Sequence, residues 1–319
     1  MTAKLRPSPL YTGQTVGIAA PASGVWLESD FQQAVETMGR WGFAVTVPPA
    51  VQALRRGYLS GTDAERADSV NVLLRDPTVA AIICLRGGSG SLRLLPLIDY
   101  AAMAAQPRIF LGFSDVTALH VAFGVRSNVV TFHGPNLLGL TPPGGNAFTQ
   151  EHCWRALMTG EALGEVPADP ANPFVWVIAP GEAEGEIIGG CLTLLAATLG
   201  TPYELDTTGK ILFFEDVGCP PYQIDTLLTQ MGLAGKLQAG AGIVVGRCVD
   251  VEPDTRRGYH PSLSLDDVLR DHLSRLGIPV IYGLPLGHTY HQVTLPLGVM
   301  ARLTTAPPVL TVTGVATDV

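Results

Sequence analysis

From Thr15 to Phe132, short apolar runs alternate with amphipathic stretches. Thr15-Val16-Gly17-Ile18-Ala19-Ala20, Phe43–Val47, Val79–Leu85, Arg108–Gly112 and Asn128–Phe132 have the uninterrupted apolar character of strands buried on both faces. Between them, Asp30–Trp41 spaces Phe31, Val35, Met38 and Trp41 along one helical face. Thr62-Asp63-Ala64-Glu65 is a capping box, a hydroxyl at the N-cap with a carboxylate three residues on, and opens a helix to about Arg75. Strand and helix in alternation predict a doubly wound, flavodoxin-like parallel sheet, which binds ligands at the carboxyl ends of its strands.

The pattern breaks between about Thr159 and Pro180, where Pro167, Pro170, Pro173 and Pro180 punctuate an Ala-, Gly- and Asp-rich stretch that reads as a surface linker. Beyond it, helices at Cys191–Leu199, Pro221–Met231 and Leu265–Arg275, strands at Ile211–Glu215 and Ala241–Gly246, and short β segments from Val280 onward predict a smaller, mixed α/β domain. The expected organisation is an N-terminal α/β domain over 1–158, a linker over 159–180 and a C-terminal domain over 181–319.

With 47% apolar and 15% charged residues in 319, the chain can bury substantial cores and does not have the composition of a disordered protein. A formal charge of −8 argues against nucleic acid or an anionic membrane as partner, leaving a small molecule or peptide. The five cysteines, Cys84, Cys153, Cys191, Cys219 and Cys248, include no Cys-x-x-Cys pair, so reduced thiols are expected and no metal is implied. The N-terminal stretch has no signal-peptide pattern and no apolar run approaches the roughly 20 residues of a membrane span, so the expected location is the cytoplasm.

Against this background one turn carries chemistry. Arg108-Ile109-Phe110-Leu111-Gly112-Phe113-Ser114-Asp115-Val116-Thr117-Ala118-Leu119-His120 is an apolar strand that turns at a glycine, presents a serine and enters a helix. Such a turn exposes a hydroxyl, and the first helix amides point at any negative charge forming beside it. The match to Gly-x-Ser-x-Gly is partial, since Val116 stands at the second glycine, and a serine simply near a helix start is the plainer reading.

A serine needs a base and a carboxylate to orient it. Ile211-Leu212-Phe213-Phe214-Glu215-Asp216 ends a strand in two acids, and Gly283-Leu284-Pro285-Leu286-Gly287-His288-Thr289-Tyr290-His291 sets two histidines in a loop; their plainer readings are a helix cap and solvated side chains. The order serine, acid, histidine is that of the α/β-hydrolases. Cys191, after Gly189-Gly190, is a rival nucleophile or a small buried residue. The turn Arg86-Gly87-Gly88-Ser89-Gly90-Ser91 is a phosphate cradle, an oxyanion site or an ordinary turn. Asp225 with Tyr222 reads as fixing a helix, and Trp176 as a packed linker residue or a substrate-facing aromatic.

Taken together, Gly112-Phe113-Ser114-Asp115, the block Ile211–Asp216 running into Pro220-Pro221-Tyr222-Gln223-Ile224-Asp225, and Gly283–His288 resemble the LD-carboxypeptidase family, which includes muropeptide carboxypeptidases and microcin C immunity peptidases. Pro21-Ala22-Ser23, Gly57–Asp63, Arg86-Gly87-Gly88, Phe132-His133-Gly134-Pro135 and Gly189-Gly190-Cys191-Leu192 extend the resemblance over nearly the whole chain. It implies a triad of Ser114, Glu215 and His288, with the nucleophile on the N-terminal domain and the acid and base on the C-terminal one. Asp216 and His291 stay open as alternatives. It further implies backbone amides at Gly88 and Asp115 as an oxyanion hole, and Arg86, Gly87 and Ser89 against the substrate, with Ser89 where the family usually has tyrosine.

The implied reaction releases terminal D-alanine from a murein tetrapeptide, with no metal or organic cofactor and with homodimerisation plausible. The alternatives are cleavage of an aminoacyl-nucleotide conjugate by the same side chains, and a non-catalytic protein that holds a small anion.

Overall fold

Each apolar run of the first half closes into a strand, and all but the edge strand at Ala44–Thr46 are buried beneath flanking helices. A computed structural model describes residues 3–53, 56–251 and 262–318, so Met1, Thr2 and Val319, at the ends of the expected domains, lie outside it. In chain order the strands of the first half are β1 (Thr15–Ala19), β2 (Ala44–Thr46), β3 (Val79–Cys84), β4 (Ile109–Gly112) and β5 (Thr131–His133). They are followed by β6 (Ala162–Glu165), β7 (Trp176–Ala179), β8 (Glu182–Cys191), β9 (Ile211–Glu215), β10 (Gly242–Val245), β11 (Val280–Tyr282), β12 (Leu295–Leu297), β13 (Val299–Thr305) and β14 (Pro308–Val315).

Among the described residues these form two sheets, a six-stranded one in the order β12-β5-β4-β3-β1-β2 and an eight-stranded one in the order β6-β14-β13-β8-β9-β10-β11-β7. In the first, β1 to β5 are parallel, as expected for a doubly wound sheet. Phe110 and Ile82 face the helices Asp63–Arg75 and Thr117–Arg126, while Ile109, Leu111 and Ile83 face Glu28–Arg40 and Ala147–Met158. The capping box forms as the sequence predicts: Glu65 N–H donates to Thr62 Oγ1 at 3.3 Å and Thr62 N–H to Glu65 Oε2 at 2.8 Å. The last parallel strand starts three residues later than the apolar run suggests, because Asn128 sits at φ 54 and turns the chain there.

In the second sheet β8, β9, β10 and β11 are parallel neighbours, flanked by antiparallel strands on both sides. The 159–180 segment supplies β6 and β7, one at each outer edge of this sheet, with Pro167, Pro170 and Pro173 in the connection between them. Strand β8 is concealed in the sequence for a related reason: its first half, Glu182-Ala183-Glu184, is charged and partly exposed, and only its far end is buried. Strand β12 pairs antiparallel with β5 at the edge of the first sheet, where Pro296 is tolerated, and after Gly298 the chain enters β13 of the second. One apolar cluster therefore runs through both sheets, from Ile18, Leu111 and Phe132 to Phe213, Val244 and Leu303. The carboxyl ends of both parallel sets, β1-β3-β4-β5 and β8-β9-β10-β11, carry the candidate chemical residues.

Candidate active site

Ser114 follows β4 at φ 64, a left-handed conformation that a side chain bearing Cβ adopts at a cost of roughly 1–3 kcal/mol. Several contacts hold it there. The Asp115 carboxylate accepts from the amides of Gly90 at 3.2 Å and Ser91 at 2.8 Å, and the Ser91 hydroxyl donates to the Asp115 carbonyl. On the other side, Asn136 Oδ1 accepts from the Phe113 amide at 3.3 Å, and His120 Nε2 donates to the Gly112 carbonyl at 2.8 Å. Burial pushes the Asp115 carboxyl above the usual aspartate range against the pull of those amides, and burial drives His120 down to about 3, so His120 is a neutral donor.

The glycine turn after β3 lies directly on this serine. A Cβ added to Gly87 would sit 2.9 Å from Ser114 Cβ and 3.1 Å from its Oγ, so only glycine fits beside the hydroxyl. Gly88, at φ +116, has an amide that meets no acceptor among the described residues, and the Asp115 amide lies in the first turn of the helical segment Ser114–Val116, where intrahelical acceptors run out. Arg86 is half-buried, with Nη1 3.4 Å from the Gly24 carbonyl, and Ser89 is exposed.

Glu215 ends β9 and is fully buried. Its Oε2 accepts from His288 Nδ1 at 2.6 Å, which leaves Nε2 of that imidazole as the free ring nitrogen. Burial pushes the Glu215 carboxyl up, but the polar approach of His133 first, then the His288 hydrogen bond and the charges of both imidazoles, outweigh it and hold the group below the usual glutamate range. Gly287 makes the approach possible: at φ +97, a Cβ there would fall 2.3 Å from Glu215 Oε2. The His288 ring packs on Phe113, the residue before Ser114, with centroids 4.8 Å apart. No hydrogen bond joins Ser114 to His288 among the described residues; catalytic hydrogen bonds of this kind commonly tighten only with substrate in place.

The alternatives left open by the sequence are committed elsewhere. Asp216 accepts from Thr193 N–H at 2.8 Å and Thr193 Oγ1 at 2.7 Å, at the start of the helix Leu192–Ala197. His291 pairs with Asp169 at 2.9 Å, and Asp225 with His272 at 2.6 Å, tying two helices while Tyr222 is left exposed. Cys191 is buried, and burial together with the charges of Glu215 and Asp216 pushes its thiol far up, the opposite of an activated nucleophile. Trp176 is half-exposed and stacks on Tyr282 at 5.2 Å.

Sequence reasoning gave no role to His133, which lies buried against Glu215. Its signal was present in the Phe132-His133-Gly134-Pro135 block. Among the described residues there is no His, Cys, Asp and Glu cluster able to hold a metal ion. The arrangement can perform acyl transfer: a hydroxyl on a strained turn, a carboxylate-oriented imidazole and unpaired amides, all at strand carboxyl ends.

Sequence models of the LD-carboxypeptidase N-terminal domain and the LD-carboxypeptidase C-terminal domain match residues 16–134 and 184–303. A probable murein peptide carboxypeptidase of Bacillus subtilis is 37% identical over 307 residues, spanning 94% of this chain and 92% of that protein. The microcin C7 self-immunity protein MccF of Escherichia coli is 30% identical over 324 residues, spanning 92% of each chain. The crystal structure of muramoyltetrapeptide carboxypeptidase from Oxalobacter formigenes superposes with a TM-score of 0.81 at 31% identity, covering 96% of this chain and 100% of that one.

Proposed function

The chain belongs to the LD-carboxypeptidase family of serine peptidases, and on that premise we propose that it releases the terminal D-alanine of murein tetrapeptides through Ser114, Glu215 and His288. The observation that carries the mechanism is the 2.6 Å bond from His288 Nδ1 to the buried Glu215, beside a serine held at φ 64. With Nδ1 engaged, Nε2 takes the Ser114 proton as Oγ attacks the carbonyl carbon of the L-centre. The oxyanion develops toward the amides of Gly88 and Asp115. His288 then protonates the leaving amine, D-alanine departs, and a water activated by the same nitrogen hydrolyses the ester on Ser114. Base assistance contributes roughly 10² to 10⁴ in rate, and each oxyanion donor about 10² to 10³. Arg86, beside the Gly87-Gly88 turn, supplies the cation for the terminal carboxylate, with the exposed Ser89 next to it.

Purified protein incubated with tetrapeptide muropeptides is expected to release D-alanine, and Ser114→Ala to release none; an alanine variant with wild-type turnover would falsify the mechanism. The likeness to the microcin C7 self-immunity protein favours one competing substrate, an aminoacyl-nucleotide conjugate cut by the same side chains. Parallel assay of the two substrates on one preparation separates them by kcat/KM. Among the described residues no helix is long and apolar enough to cross a membrane, which is compatible with a cytoplasmic role in cell-wall recycling.

A further inference from the structure

The acid of this triad uses only one of its two oxygens. Glu215 Oε2 is bonded to His288, whereas Oε1 has no hydrogen-bond partner among the described residues although the side chain is fully buried. Facing Oε1 at 3.8 Å is Nε2 of His133, equally buried, and neither ring nitrogen of His133 has a partner. A carboxylate oxygen and an imidazole that are both buried without a partner are strongly unfavourable, and each is the group that would satisfy the other.

Among the described residues no donor comes within hydrogen-bond distance of Glu215 Oε1. Phe213 and Phe113 wall the His133 ring at centroid distances of 5.0 and 6.1 Å, and His120, at 6.2 Å, has its Nε2 committed to Gly112. The other titratable groups bearing on Glu215 are the thiols of Cys191 and Cys248, both pushed up by burial, with the carboxylate of Asp216 nearby turned onto Thr193.

The placement gives the pair a purpose. His133 ends β5 and registers beside Gly112 of β4, two residues before Ser114, while Glu215 belongs to the other sheet. The contact thus links the acid of one sheet to the nucleophile strand of the other.

We propose that His133 is a positioning residue: with a proton on Nε2 it closes on Oε1 of Glu215, so that the carboxylate is gripped at both oxygens, kept ionised and held in register with Ser114. The proposal rests on the triad reading above. A movement of about 1 Å brings the pair within hydrogen-bond distance. His133 touches no substrate, so its loss slows the chemical step and leaves KM unchanged.

The test reads Ser114 itself, so it does not depend on knowing the substrate. The rate at which a fluorophosphonate labels Ser114 is followed against pH in the wild type, His133→Phe and His133→Gln. The Phe variant fills the space without a donor and should react about ten- to a hundredfold more slowly, with its acid limb moved to higher pH because burial of Glu215 is then less opposed. The Gln variant keeps a donor at similar reach and should stay within a few-fold of wild type with its limb in place. In ¹⁵N-histidine spectra of the wild type, His133 should carry a proton on Nε2, a readout independent of whether the Phe variant folds. A folded Phe variant with wild-type rate and limb, a Gln variant slower than wild type by tenfold or more, or a proton on Nδ1 alone overturns the positioning role. Wild type that labels normally beside an indifferent Phe variant overturns that role only, whereas wild type that is never labelled overturns the triad reading and this proposal together.

Discussion

The two sides of the site are built on different physics. On the nucleophile side the backbone does the positioning: Ser114 sits at φ 64, clamped by Asp115, Asn136 and His120, with Gly87 pressed against its hydroxyl. On the acid–base side the backbone supplies only room, at Gly287, and the geometry comes from a buried carboxylate between two imidazoles. The first side should therefore be sensitive to added volume, and the second should be governed by charge. Substitutions that keep shape and remove charge, or keep charge and alter shape, separate the two.

The largest effect is expected from Glu215→Gln, which keeps the shape and removes the charge. In a serine triad this change costs roughly 10⁴ in kcat because the amide no longer holds the histidine in the tautomer that acts as base. The same variant tests the electrostatics of the fold. Glu215 is held below its usual value, so its ionised form stabilises the folded chain above an unfolded-state value of about 4.5 and that contribution is lost as pH falls through the lower folded value. Wild type should therefore lose Tm more steeply than Glu215→Gln as pH falls below about 4.5. The buried and capping carboxylates elsewhere are common to both chains and cancel. Parallel Tm curves in acid would show that Glu215 does not gain its charge from folding.

A smaller loss, about 10² in kcat, is expected from Gly87→Ala, since a Cβ 2.9 Å from Ser114 Cβ displaces the hydroxyl by a fraction of an ångström to an ångström. Its Tm should fall only by the overpacking, because the φ of Gly87 is not in the left-handed region and no backbone strain is added. Gly287→Ala should differ on both counts: at φ +97 and 2.3 Å from Glu215 Oε2, the new methyl strains the backbone and drives the carboxylate from His288, lowering Tm and activity together. If both alanine variants lost activity and stability in the same proportion, the distinction between a backbone-built and a charge-built side would fail.

The same contrast governs what was legible in the sequence. The nucleophile turn itself is local, one strand, one turn and one helix within Arg108–His120, so the sequence marks it as a candidate, but the plainer reading of a serine at a helix start stays open there, and Gly87 and Asn136 reach it from outside that segment. Strand β9 was equally plain, because Ile211–Glu215 is apolar up to its acid. Local pattern does not choose Glu215 over Asp216, since the two acids are adjacent at the end of one apolar run and only the tertiary partners, His288 and Thr193, tell them apart. The edge strands β6 and β7 escaped notice because an edge needs neither a buried face nor a proline-free neighbourhood. His133 escaped because a lone histidine at a strand end carries no local sign of the carboxylate it faces across the two sheets.

Cys191 gives the smallest expected effect and the sharpest check on which group attacks. It ends β8 after two glycines and stands at the N-cap of the next helix, the kind of position where a thiol is often activated, yet it is 4% exposed and its thiol is pushed up by burial and by the carboxylates of Glu215 and Asp216. A thiol so placed stays protonated near neutral pH. Cys191→Ala should destabilise the chain by about 1 kcal/mol through the lost packing of a small buried side chain while leaving kcat within a few-fold of wild type. Iodoacetamide at neutral pH should leave Cys191 unmodified in the folded protein while a fluorophosphonate reacts at Ser114. A hundredfold loss of turnover in a well-folded Cys191→Ala chain, with Ser114 unreactive, would transfer the nucleophile to the second sheet and undo the contrast between the two sides.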